Sequence, residues 1–278
     1  MPDLELFVPG RICLMGEHSD WAGNYRRFNK DIVPGACLVS GTNQGLYARV
    51  RSHPNKLIVK SVDHNGTVSG PVEFSMEPET LLKAAASGDH FSYVAGTAYQ
   101  IMVRYHVHGL VIDNYRTDLP LRKGLSSSAA VCVLAARAFN RVYDLKMTVR
   151  GEMDLAYHGE ITTPSACGRM DQCCAFGARP VLMKFDGDLL ECEELTVGAP
   201  LYLVIVELQG TRRAIRRAIR RNSARNSLTR VHSHHRHQGH GGDSAAAEQG
   251  VPRRRRRAAA QPAGLLGRDE QADCRQRD

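Results

Sequence analysis

Apolar and polar positions change period several times along this chain, and each change marks an element. Glu5 to Met15 reads as a strand that runs into a loop at Gly16-Glu17-His18. Gly45 to Arg51 and Lys56 to Val62 also carry strand patterns. Asp63-His64-Asn65-Gly66 follows as a hairpin-turn signal, because Asn-Gly tolerates the positive φ values of a tight turn. From Pro78 to about Tyr105 the period becomes helical. Leu81, Leu82, Ala85, Tyr93, Val94, Ala98, Ile101 and Met102 fall on one side, with a break near Gly88. Leu110 to Asn114 is a short strand. Ala129 to Tyr143 and Thr148 to Glu160 are amphipathic helices, and Thr163-Pro164 ends the second. Val181 to Phe185 and Leu189 to Leu195 flank Asp186-Gly187-Asp188 as a hairpin, and Leu201 to Val206 is a strand of the buried type. Strands mixed with helices in this way predict an α+β or α/β sandwich layer.

After Glu207 the patterning stops. The segment holds Arg212 to Arg221, a histidine tract from His232 to His240 and the run Arg253 to Arg257, with no aromatic residue beyond Tyr202. So little apolar content cannot offset chain entropy by burial. The expected organisation is one domain over 1–208 and an Arg/His-rich, disordered basic tail over 209–278.

Charge sharpens that division. The formal net charge is +8, but from Thr211 onward there are 17 Arg, no Lys and 6 acidic residues, a net of +11. Residues 1–210 then carry 20 basic and 23 acidic residues, a net of −3. The body is therefore no basic nucleic-acid-binding domain. Nucleic acid is an expected partner only nonspecifically, through the tail. The switch from 13 Arg and 7 Lys to Arg alone reads as a reading frame translated out of register, with a genuine arginine-rich extension as the alternative.

No apolar run approaches the roughly 18 residues of a membrane span, and the start Met-Pro-Asp-Leu-Glu-Leu lacks a secretory core. No membrane partner and a cytoplasmic location are expected. The eight cysteines include no Cys-x-x-Cys pair, so reduced thiols are expected and zinc is not. Asn65-Gly66-Thr67 is then a turn and not a glycosylation site.

Three segments carry candidate chemistry. In Gly124-Leu125-Ser126-Ser127-Ser128-Ala129-Ala130 a glycine and three hydroxyls stand where a loop becomes a helix. Free N–H groups and the positive helix end make a phosphate site there; the other reading is that the serines cap the helix. There is no Walker A sequence and no dinucleotide fingerprint. In Pro9-Gly10-Arg11-Ile12-Cys13-Leu14-Met15-Gly16-Glu17-His18-Ser19-Asp20 a strand delivers two acids and an imidazole within four residues. Such a cluster suits the hydroxyls of a small polyol, or is a polar surface turn. In Thr162-Thr163-Pro164-Ser165-Ala166-Cys167-Gly168-Arg169-Met170-Asp171-Gln172, with Glu160 upstream, small residues let backbone approach a ligand.

Together, in this order, the three segments resemble the GHMP kinase superfamily, and galactokinases within it most. The resemblance covers about residues 5 to 207. It implies a GHMP kinase N-terminal domain, a two-layer α+β sandwich of the ribosomal protein S5 domain 2-like type. It further implies that Gly124, Leu125, Ser126, Ser127 and Ser128 wrap the phosphates of ATP and that Ser128 and Glu160 hold Mg2+. Asp171 would be the catalytic carboxylate, with Arg11 beside it. Glu17, His18 and Asp20 would bind the hydroxyls of a small-molecule sugar. The activity implied is transfer of the γ-phosphoryl group of ATP to a sugar or sugar-like alcohol.

Departures from the family pattern are also present. Trp21 stands where galactokinases usually have tyrosine. The stretch from Asn24 to Pro34 is longer and more basic, so galactose itself stays open. Arg122-Lys123 replaces the usual small residues before Gly124. A second α+β domain and a third glycine-rich motif have no counterpart after Glu207, so this chain is expected to be a poor enzyme or an inactive one. The alternative reading is a catalytically dead sugar- and ATP-binding homologue whose basic tail serves as an interaction arm.

Overall fold

The structure, a computed structural model, describes residues 3–120, 124–199, 202 and 204. Seven strands form one sheet: β1 Leu4–Met15, β2 Gly35–His53, β3 Lys56–Val62, β4 Val68–Ser75, β5 Gly109–Thr117, β6 Val181–Asp186 and β7 Leu189–Glu194. Their order is β4-β3-β5-β2-β6-β7, with β1 along the remaining edge of β2. Only β3 and β5 run parallel. The long β2 serves three partners: Val50 pairs with Leu4 and Ile112, and Val39 with Cys13 and Val181.

The helices are α1 Ser19–Asn24, α2 Pro78–Ala86, α3 Ser92–Met102, α4 Ser127–Tyr143 and α5 Val149–Ile161, with 3₁₀ turns at Tyr25–Arg27 and Asp171–Phe176. The strands bury alternate residues, as at Leu57 and Val59, Leu110 and Ile112, and Val181, Met183 and Phe185. Onto these packs α4, which contacts β1, β2 and β5, while α3 and α5 pack against α4. Ten of the 17 residues of α4 are buried, including Ala129, Ala130, Val133, Ala135, Ala136, Ala138 and Phe139. Its alanines let sheet and neighbouring helices approach closely. The two-layer α+β sandwich expected from the sequence is the architecture observed. Among the described residues, no helix is long and apolar enough to cross a membrane.

Most elements lie where the pattern puts them, and the differences have physical causes. β2 begins ten residues before the expected Gly45, because Gly35, Gly41, Gly45 and Asn43-Gln44 dilute its strand signal. β4 carries Gly70-Pro71, which demotes the pattern; as an edge strand paired only to β3 it tolerates the proline. The six residues of α1 are too few to show a period. Most of the strand expected at Leu201 to Val206, the Arg122-Lys123 pair and the whole segment 209–278 lie outside the described residues.

Candidate active site

Arg11 is the hub of the site. Its backbone N–H donates to the Leu125 carbonyl at 3.1 Å, tying β1 to the loop before α4. Gly10 permits that approach, since a Cβ there would strike Leu119 and sit 3.0 Å from both Leu125 O and Thr42 Oγ1. The buried Arg11 side chain donates through Nη2 to Asp171 Oδ1, and its Nη1 lies 3.9 Å from Glu17 Oε2. Burial pulls the Arg11 pKa down, but the Asp171 charge and hydrogen bond outweigh it and the net is upward. The guanidinium is therefore charged, and its Nε, buried without a described partner, still has a donor to offer.

The loop on the other side of Arg11 turns sharply. Gly124 has φ +89° and Ser126 has φ 55°, both left-handed. Ser126 occupies the N-cap of α4 yet makes no side-chain capping bond. Plain capping is thus not what this serine does, and the first-turn amides of a 17-residue helix stay uncapped by it. Ser128 Oγ donates instead to Glu160 Oε1 at 2.7 Å, and Gln172 Nε2 donates to Glu160 Oε2 at 2.8 Å. Glu160 is 1% exposed, and burial pushes its pKa up. Among the described residues no cation pairs with it.

The other expected residues divide. Glu17 joins Arg11 and is half exposed. Asp20 is buried and accepts the Met170 N–H at 3.3 Å. His18 has φ 73°, and its ring lies 6.0 Å from that of Trp21 instead of joining these pairs. Gln172 and Gly168 were not singled out from the sequence. Gln172 is fully buried, with Oε1 lacking a described partner, and its place next to Asp171 was the available signal. A small cavity of about 30 Å³ lies between β3, β5, α3 and α4. Val59, Phe91, Ile112, Val131 and Leu134 line it, with His90, Ser61 and Asn114 as polar groups.

Residues 92–178 match the family described as the GHMP kinases N terminal domain. Over those residues the chain resembles the N-terminal domain of GHMP kinases. It is 26% identical over 216 residues to a galactokinase of Clostridium acetobutylicum, covering 75% of this chain and 51% of that one. It is 27% identical over 218 residues to a galactokinase of Thermococcus kodakarensis, covering 76% and 55%. The chain thus spans about half the length of these relatives. The GHMP domain also superposes on Lactococcus lactis galactokinase complexed with galactose, with a TM-score of 0.55 at 22% identity over 82% of this chain and 57% of that one. For Methanococcus jannaschii mevalonate kinase the TM-score is 0.52 at 12% identity, covering 68% and 55%. These likenesses establish the GHMP fold.

Proposed function

We propose that this protein is an ATP-dependent carbohydrate kinase of the galactokinase type, with residues 1–208 as its ATP-binding domain. One observation carries the reading: Arg11 touches the Gly124–Ser128 loop through its backbone and Asp171 through its side chain. A phosphate-type loop and a carboxylate able to take a proton are thereby held on either side of one cation.

ATP supplies the phosphoryl group that is transferred. The chain's own residues bind, orient and handle the proton. Amides of the Gly124–Ser128 loop face phosphate oxygens, aided by the positive end of α4. Asp171 receives the proton of the acceptor hydroxyl, a general-base role worth about 10²–10⁴-fold. Arg11 orients that carboxylate through its hydrogen bond and compensates charge that develops on phosphate. Glu17 and His18 contact sugar hydroxyls. Ser128 and Glu160 fit Mg2+: both are oxygen donors, they are adjacent, and the buried Glu160 charge has only neutral hydrogen-bond partners. Such an ion usually takes one or two protein ligands and fills its shell with water and phosphate.

The test has two arms on the 278-residue chain. Calorimetry should detect MgATP binding that Ser128→Ala weakens, and a monosaccharide panel including galactose should stimulate ADP release. Because the chain spans half the length of its relatives, turnover below the common range of about 1–1000 per second is expected, and nucleotide binding is the primary readout. No MgATP binding at millimolar concentration would overturn the proposal.

A further inference from the structure

The turn Asp186-Gly187-Asp188 between β6 and β7 is gripped from two sides. On one side stands α1. Gly187 N–H donates to Gly23 O at 3.2 Å. Arg26 pairs with Asp186, and Arg27 pairs with Asp188 at 2.8 Å. Gly187 has φ +60°, and a Cβ there would lie 3.0 Å from Arg27 Cγ, so the arginine packs across the turn. Both arginines of the basic stretch after α1 are therefore committed to the hairpin.

On the other side stands the turn Gly168-Arg169-Met170, which leads into Asp171. Arg169 Nη1 donates to the Asp188 carbonyl at 3.0 Å. Its Nη2 lies 3.8 Å from Asp154 Oδ1, and its guanidinium carbon lies 5.3 Å from the centre of the Tyr157 ring. One planar group thus meets the hairpin and two residues of α5 at once, which the point charge of a lysine cannot do. Asp20 of α1 closes the circuit. Its Oδ2 accepts the Met170 N–H at 3.3 Å, and a Cβ on Gly168 would fall on the same atom. Helix, hairpin and turn form a triangle in which each corner is bonded to the other two. Met170 is the N-cap of the 3₁₀ turn that begins at Asp171, so the triangle sets where the Asp171 carboxylate meets Arg11.

We infer that Arg169 is a positioning residue: it ties the turn carrying Asp171 to the β6–β7 hairpin, which Arg27 anchors from the α1 side. The inference rests on the kinase reading above and leaves Asp20 with the acceptor contact that resemblance implies. Two roles for Arg169 make different demands. A cation that acts on the phosphoryl group through its charge is replaced by lysine. A tie is not, because lysine keeps the charge and loses the fork. A tie also acts on the chemical step, since a displacement of about 1 Å in a reacting group can cost on the order of 100-fold. It carries influence from the hairpin as well, so loosening Arg27 is felt at the turn while Arg169 joins the two.

The experiment compares the 278-residue wild type with Arg169→Ala, Arg169→Lys, Arg27→Ala and the double variant Arg27→Ala/Arg169→Ala. Amide hydrogen exchange is followed at Met170 and at Cys173, whose N–H donates to Met170 O at 3.1 Å. Buried α4 amides report global stability in the same samples. Steady-state rates are measured with MgATP and whichever panel sugar is turned over. Arg169→Ala should speed exchange at Met170 and Cys173 by at least about ten-fold relative to α4, and should lower kcat by a similar factor with sugar KM changed only a few-fold. Arg169→Lys should stay close to Arg169→Ala in both readouts. Arg27→Ala, at an exposed pair, should speed the same amides about three-fold. It should add nothing once Arg169 is gone. Unchanged exchange at Met170 and Cys173 in Arg169→Ala, a rise in KM with kcat retained, recovery to wild type by lysine, or an equal Arg27→Ala effect in both backgrounds would overturn the inference. If Arg169→Ala does not fold, Arg169→Lys and Arg27→Ala decide it, and an unchanged turn in both removes the tie. If wild type turns over no sugar, the kinase reading fails and exchange alone decides the tie.

Discussion

Arg137 of α4 and Glu152 of α5 form a buried ion pair, Nε to Oε2, at 2.9 Å. Asn140 Nδ2 donates to the other Glu152 oxygen at 2.8 Å, and Arg137 Nη2 donates to Ala175 O at 2.7 Å. The pair thus fastens two helices to the 3₁₀ turn that starts with Asp171. Removing one partner leaves the other charge buried and uncompensated, a loss of about 3–5 kcal/mol. Glu152→Ala should lower stability by that amount, read as a shift in the urea midpoint at unchanged slope.

Asp171→Asn keeps the shape of the side chain and removes its charge and most of its basicity. Turnover should fall by at least about 100-fold while MgATP affinity stays within a few-fold. Rate and calorimetric measurements on the same preparation check both halves. Near-normal turnover would remove Asp171 from the chemistry.

The crossing of α3 and α5 leaves no room at Gly159. A Cβ there would lie 2.5 Å from Thr97 Cα and 2.8 Å from Thr97 Cβ. Gly159→Ala should therefore cost about 1–3 kcal/mol by overpacking. At Gly151, earlier in the same helix, an added Cβ would lie an ordinary 3.5 Å from Met147 Cβ. There the helix preference of alanine should prevail, and Gly151→Ala should be neutral or stabilising by up to about 1 kcal/mol. Paired denaturation curves give both values.

His158 Nδ1 lies 3.3 Å from Asp154 Oδ2 in the last turn of α5. The hydrogen bond to Asp154 raises the His158 pKa above its ordinary 6.5, against a smaller opposing effect of burial. A raised pKa means the folded state favours the protonated ring. The stabilisation is complete below pH about 6.5 and fades as pH rises through the folded value. The pair is partly exposed, so its worth is about 0.2–1 kcal/mol at low salt. His158→Gln should be less stable than wild type near pH 6, and the gap should close by pH 8. A gap that widens with pH would refute the assignment.

Much of this was legible in the sequence. Lys56–Val62 and the Asp63–Gly66 turn could be read directly, as could both long helices, because period and turn chemistry agree there. The Gly-Leu-Ser-Ser-Ser loop stood out by its residues, whereas the Asp171 segment gained meaning only through the resemblance of the three segments together. What could not be read was how the acids are used. Glu17, His18 and Asp20 look equivalent on paper, yet the fold sends Glu17 to Arg11, turns His18 toward Trp21 and buries Asp20 under Gly168. The burial of Asp20 depends on a turn 150 residues further along the chain, which local pattern does not encode. Gln172 stands in the third segment, but its hydrogen bond to Glu160 inside the core is a tertiary contact that the segment alone does not show.

The three-partner strand β2 has a consequence for how the protein comes into being. Its N-terminal end, at Gly35, pairs with Phe185 of β6. At ribosomal rates of about 5–20 residues per second, roughly 8–30 s separate the emergence of those two partners. Through that interval β2 can pair with β1 and then β5, but one stretch of its edge stands open. An unpaired edge is a template for foreign strands. The nascent chain is therefore most vulnerable between the synthesis of β5 and that of β6, and the same late strand pairing seats the turn that braces α1. Assembly of the site and protection of the sheet edge are completed in a single event.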